Sequence, residues 1–137
     1  MGITVRIEII KMAIIGIGTD IIRTSRVRRI LNKFPDTFPQ RVLHQSELLV
    51  FQKHHSPATY TAKRFAAKEA AAKALGTGIA KGVSFHDISV MNNESGQPIL
   101  EFYGKTLEVA ESLGVKHTHI SLSDEGEYAV AYVVLES

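Results

Sequence analysis

The sequence predicts an α+β protein: a largely antiparallel sheet packed with helices. Three observations lead there. Helical patterns crowd the first half of the chain, as far as Leu75. Short strand patterns separated by turn signals dominate the second half. No repeat, linker or low-complexity tract interrupts the 137 residues, and a hydrophobic content of 45% is enough to fill one core.

Residues 1–11 alternate loosely and read as a weak strand or arm. Met12-Ala13-Ile14-Ile15 looks like a second start, so 1–11 reads as an extension or alternative start and 12–137 as the domain. Ala13 to Gly18 is a short apolar run ending on glycine, read as a buried strand. Asp20 follows it. An Asp in that position commonly caps a helix or turns the chain; the other reading is a metal ligand held at a strand end.

Thr24 to Phe34 reads as a helix with Val27, Ile30, Leu31 and Phe34 on its apolar face and Ile22 packing just before it. Arg23, Arg26 and Arg29 recur every three residues on another face. Such a face is ordinarily solvated, and the alternative is a docking surface for an acidic protein. Pro35 and Pro39 then break the chain into a loop, and Ser46 to His54 forms a second helix with Leu48, Leu49 and Phe51 apolar.

The strongest helix runs from about Pro57 to Leu75. Alanine, Lys, Arg, Glu and Leu are the best helix formers. Ser56 suits the cap, Pro57 the first helical position, and Gly76 and Gly78 the stop. Phe65, Glu69, Lys73 and Gly76 share one face, with Arg64, Lys68 and Leu75 on an adjoining strip. Taken alone, this is a solvated helix with a Glu69–Lys73 pair. The tail Gly76-Thr77-Gly78 argues for more, because small residues with free N–H groups can form an anion-binding concavity. One carboxylate beside several cations and such a loop suits a divalent metal holding a phosphate chain.

Downstream, Ile88 to Met91 and Pro98 to Tyr103 form a hairpin about the Glu94-Ser95-Gly96 turn. Lys105 to Leu113 is an amphipathic helix stopped by Gly114. His117 to Ser123 and Tyr128 to Leu135 are the last strands, and His117, His119, Ser121 and Ser123 point one way by alternation. That row is either a wet sheet face or one wall of a site.

There is no cysteine, hence no disulfide and no thiol nucleophile, and no apolar run long enough to span a membrane. A soluble cytoplasmic protein is expected. The formal charge of +2 hides an asymmetry. Residues 1–81 hold fourteen Lys and Arg against five Asp and Glu, and residues 82–137 hold two against nine. A basic half suits an anionic ligand or partner. A non-catalytic binder of nucleotides or nucleic acid is the alternative class, weakened by the acidic second half and by the lack of aromatic residues among the arginines.

Three segments together resemble the holo-acyl-carrier-protein synthases, the short bacterial type of 4'-phosphopantetheinyl transferase. They are Gly16-Ile17-Gly18-Thr19-Asp20, then Arg64-Phe65-Ala66-Ala67-Lys68-Glu69-Ala70 with Lys73-Ala74-Leu75-Gly76-Thr77-Gly78, then His119-Ile120-Ser121-Leu122-Ser123-Asp124. The resemblance implies transfer of 4'-phosphopantetheine from coenzyme A to a serine of apo acyl carrier protein, in support of fatty acid biosynthesis. It implies Mg²⁺ on Asp20 and Glu69, with Lys73 as a third catalytic residue. Coenzyme A would meet Arg64, Lys68, Lys73, Gly76, Thr77, Gly78, His119 and Ser121. The carrier protein would dock on Arg23, Arg26 and Arg29, and the assembly would be a homotrimer with sites at subunit interfaces. No nucleic-acid or membrane partner is implied.

Overall fold

The computed structural model describes Gly2 and residues 12–137. The arm expected over residues 1–11 therefore lies outside the described residues, Gly2 apart. The chain opens with β1 (Ile14–Arg23), followed by α1 (Thr24–Lys33), α2 (Thr37–Val42), α3 (Gln45–Lys53) and α4 (Pro57–Ala74). A single 3₁₀ turn (Phe85–Asp87) leads into the hairpin β2 (Ile88–Asn92) and β3 (Pro98–Phe102). Helix α5 (Gly104–Ser112) and strands β4 (His117–Glu125) and β5 (Tyr128–Glu136) complete it. Among the described residues, β1, β5 and β4 form one antiparallel sheet in that order. The predicted α+β class is observed.

Two expectations are corrected. The first strand does not stop at Gly18 but runs on to Arg23, pairing Thr19 with Tyr132 and Arg23 with Tyr128. Asp20 is thus inside a strand and Arg23 at its end, rather than on the helix that carries Arg26 and Arg29. The Thr-Asp pair resembles a turn locally, but pairing with β5 overrides it. The proline segment is not an open loop either. Pro39 sits in the first turn of α2, where its missing N–H would have no partner within the helix.

Helix α4 is the centre of the molecule, not a solvated rod. Ala62, Ala66, Ala67, Ala70, Ala71 and Ala72 are fully buried. The alanine stripe lies on β1, whose glycines accept it at backbone distance. A Cβ on Gly18 would fall 1.9 Å from the Ala70 carbonyl oxygen, and one on Gly16 would fall 1.9 Å from that of Ala74. The core is completed by Val133, Leu135, Ala129 and Ala131 from β5 and by Ile88, Val90 and Leu100 from the hairpin. In α3, Leu49 faces solvent while Leu48 and Phe51 pack inward beside Val42, Leu43 and Tyr60.

The sheet has two chemically distinct faces. Alternation sends Gly18, Ile22, Ala129, Ala131 and Val133 towards α4. The other face carries Ile17, Ile21 and Tyr132, which are 57%, 62% and 47% exposed.

Candidate active site

The close seating of β1 on α4 brings two of the motifs together. The Lys73 ammonium donates to the Asp20 carboxylate at 3.0 Å and to the Thr19 carbonyl at 2.9 Å. Lys73 therefore reaches across to β1 instead of closing the expected pair with Glu69. Glu69, one turn earlier on α4, is half-buried. Burial raises its carboxyl pKa above the usual glutamate range, and the charge of Asp20 raises it further; Lys73 opposes both. Asp20, Glu69 and Lys73 thus form one electrostatic unit. Two hard carboxylates that repel each other in a partly shielded site suit a divalent cation, which takes its remaining ligands from water and phosphate.

Lys68 does not belong to this group. Its side chain has no exposure, and its ammonium donates to Glu47 Oε1 at 2.5 Å, the Val42 carbonyl at 2.6 Å and the Phe85 carbonyl at 3.1 Å. Burial pulls its pKa down to about 8, against the opposing pull of Glu47. With its three N–H groups committed inside the core, Lys68 is not a phosphate ligand in this structure, contrary to expectation.

The glycine loop also departs from the expected concavity. The amides of Gly76, Thr77 and Gly78 donate to the carbonyls of Lys73, Ala72 and Ala72, closing the C-terminus of α4. Gly76 and Gly78 take φ of +81° and +64°, the left-handed conformation such a cap requires. The N–H groups that would cradle an anion are already used.

Arg64, one turn before Lys68 on α4, is also buried. Its Nε donates to the Val90 carbonyl at 3.2 Å and its guanidinium lies 4.5 Å from the ring centre of Tyr60. It lines a cavity of about 300 Å³ with His54, Tyr60, Lys63 and Asn92 among the walls. Lys63 both lines this cavity and bridges Asp124 at 2.7 Å. Burial, aided by the charge of His55, lowers the His54 pKa. Tyr60 was visible in principle as an i,i+4 neighbour of Arg64. Asn92 and His54 arrive only through tertiary packing. Arg64 and Glu69 are five residues apart, about 7.5 Å along the helix axis.

His119 and Ser121 are exposed on β4, and His119 Nε2 lies 3.3 Å from Glu136 Oε1. Both occupy the outer sheet face with Thr19 and Tyr132, whereas Asp20 points to the α4 face. One chain therefore does not bring these two residues to the carboxylates. Arg23, Arg26 and Arg29 are all exposed, with Arg23 set 5.5 Å from the centre of the Tyr128 ring.

The 4'-phosphopantetheinyl transferase superfamily model matches residues 16–133. A holo-[acyl-carrier-protein] synthase of Photobacterium profundum is 56% identical over 126 residues, covering 92% of this chain and all of that protein. The crystal structure of the Neisseria meningitidis holo-[acyl-carrier-protein] synthase superposes with a TM-score of 0.87 at 42% identity, covering 91% of this chain and all of the other. The Bacillus anthracis holo-(acyl-carrier-protein) synthase, solved in complex with CoA (3',5'-ADP), gives 0.78 at 42% identity, covering 93% and 99%. The chain belongs to the 4'-phosphopantetheinyl transferase superfamily and, within it, to the holo-[acyl-carrier-protein] synthases. It is an enzyme, and the reading as a non-catalytic nucleotide or nucleic-acid binder falls away.

Proposed function

We propose that Asp20, Glu69 and Lys73 carry the reaction that defines this family. That reaction transfers 4'-phosphopantetheine from coenzyme A to a serine of apo acyl carrier protein and releases adenosine 3',5'-bisphosphate. The observation that carries the assignment is the contact of Lys73 with Asp20, one turn from Glu69. In phosphoryl transfer, positioning and charge stabilisation supply most of the rate. Asp20 and Glu69 would hold Mg²⁺, which when bound offsets charge on the diphosphate. The Lys73 ammonium, half exposed, swings from Asp20 to a phosphate oxygen as negative charge develops. Arg64 binds a second phosphate group of coenzyme A in the cavity along the helix.

The same reading makes the working unit a homotrimer in the cytoplasm, serving fatty acid synthesis. Supporting it, Ile17, Ile21 and Tyr132 leave an apolar sheet face uncovered, and His119 and Ser121 lie on that face. A neighbour seated there would let one subunit's His119 and Ser121 complete another's phosphate site. Among the described residues, no helix is long and apolar enough to cross a membrane.

The assay is mass spectrometry of apo carrier protein incubated with coenzyme A and Mg²⁺. The wild type should add the mass of phosphopantetheine, and Glu69→Gln, which keeps volume but not charge, should add almost none. Near-normal turnover of Glu69→Gln at low Mg²⁺ would remove Glu69 from the site. Sedimentation tests the assembly: a stable monomer with full activity rules out the shared site.

A further inference from the structure

We infer that Glu47 and Lys68 are positioning residues that hold the free edge of β2 so that Arg64 is aimed into its cavity. The inference rests on the reading that Arg64 meets a phosphate of coenzyme A.

Lys and Glu are almost never fully buried, yet both side chains have no exposure. A buried ion pair is weak evidence for stability, because apolar residues of the same volume often serve as well. What distinguishes this pair is where its hydrogen bonds go. Lys68 holds the carbonyls that end α2 and begin the 3₁₀ turn, at Val42 and Phe85. Glu47 Oε1 caps α3 by accepting from the His44 N–H at 2.8 Å. Glu47 Oε2 accepts from the Val90 N–H at 2.8 Å.

That last bond matters most for Arg64. One edge of β2 is paired with β3, and the other faces α3 and α4. On this second edge, Val90 gives its N–H to Glu47 and its carbonyl to Arg64 Nε. The guanidinium also lies 3.5 Å from Asn92 Oδ1, two residues along the same strand. Tyr60, over which it stacks, donates its hydroxyl to the Glu47 carbonyl at 3.4 Å. Both supports of Arg64, the strand edge and the ring, are thus fixed to Glu47, and Glu47 is fixed by Lys68. Arginine brings five N–H donors in a rigid fork, so anchoring two of its nitrogens directs the remainder.

The test compares Glu47→Gln/Lys68→Met with Arg64→Ala. The double variant removes both charges at similar volume. Its glutamine places an N–H₂ where a carboxylate oxygen accepted, so the His44 or Val90 N–H loses its partner. Calorimetry with adenosine 3',5'-bisphosphate, and steady-state KM and kcat for both substrates, give the readout. The double variant should bind the bisphosphate about tenfold more weakly and raise the KM for coenzyme A to match, with carrier KM and kcat within about twofold. If Arg64→Ala weakens bisphosphate binding and the double variant does not, the positioning role is wrong while the Arg64 reading stands. If Arg64→Ala binds normally, the Arg64 reading itself fails. If the double variant does not fold, Glu47→Gln alone decides by the same criteria. A fall in kcat equal to the rise in KM would mark the pair as merely structural.

Discussion

Replacing Gly18 by alanine tests the idea that backbone contact between β1 and α4 sets the site. An added Cβ would lie 1.9 Å from the Ala70 carbonyl oxygen and 2.9 Å from the Ala74 nitrogen. These are backbone atoms of a buried helix and cannot turn aside. Van der Waals contact needs roughly 3.5 Å, so strand and helix must part by about 1.6 Å. The Lys73–Asp20 bond is 3.0 Å long and spans that gap. It would pass the distance at which a hydrogen bond is lost, about 3.5 Å. Overpacking of this kind costs about 1–3 kcal/mol, or a Tm lower by roughly 3–12 °C for a domain of this size. Gly76→Ala provides the contrast. Nothing lies within 4 Å of its Cβ, but its φ is +81°, so the cost is conformational, about 1–2 kcal/mol, with no parting of β1 from α4. Thermal melting and the carrier-protein mass assay read both variants. Gly18→Ala should lose activity by more than its melting accounts for at the assay temperature, and Gly76→Ala should not. A Gly18→Ala protein with an unchanged Tm and full turnover would refute the spacing argument.

Four further outcomes are expected. Asp20→Asn should lower turnover about a hundredfold, the scale of removing one charge-stabilising group, with little change in Tm because Lys73 is half exposed. Cation binding, followed by Mg²⁺ calorimetry, should be flat in pH above the raised Glu69 pKa and should weaken by up to about tenfold per pH unit below it, since proton and cation compete. The sign for apo stability is opposite to that of a salt-bridged acid. With the folded pKa raised, the Glu69 contribution is present at low pH and lost as pH rises through that value, and Glu69→Gln should abolish both trends. Arg26→Glu should raise the carrier KM on the order of tenfold while leaving coenzyme A binding unchanged, with a weaker salt dependence than wild type. Equal loss of both would move the arginines into the nucleotide site.

Helix α4 was legible almost to the residue, because propensity, Pro57 and the glycine stop all agree there. The pairing of motifs on β1 and α4 was legible as chemistry but not as packing. The sequence shows Gly16 and Gly18, and only the fold shows that they exist to admit Ala74 and Ala70. Lys68 was misread because its partner, Glu47, lies 21 residues away in a different helix, and no local pattern announces such a pair. The glycine loop was read correctly as a stop but wrongly as an anion nest, for the opposite reason. The same composition serves an anion nest and a helix cap, and which carbonyls lie in reach decides between them. The strand alternation of His119 and Ser121 was correct, but whether they share a face with Asp20 depends on register through β5, which no single strand reveals, and the register puts them on opposite faces.

That register limits how the length of this chain can change through evolution. Side chains alternate with a period of two, so one residue inserted into β1 ahead of Asp20 would send its carboxylate to the outer face and a neighbour's side chain towards Lys73. Insertions of two residues would keep the faces but displace Gly16 and Gly18 from the alanine stripe. The turn between β2 and β3 has no such constraint. A Cβ on Gly96 would meet nothing within 4 Å, and the turn's bonds run among Asn93, Ser95, Gly96 and Gln97 themselves. Natural length variation should therefore collect at 93–97 and be missing from 14–23, a pattern that follows from the geometry of the sheet rather than from the chemistry of the site.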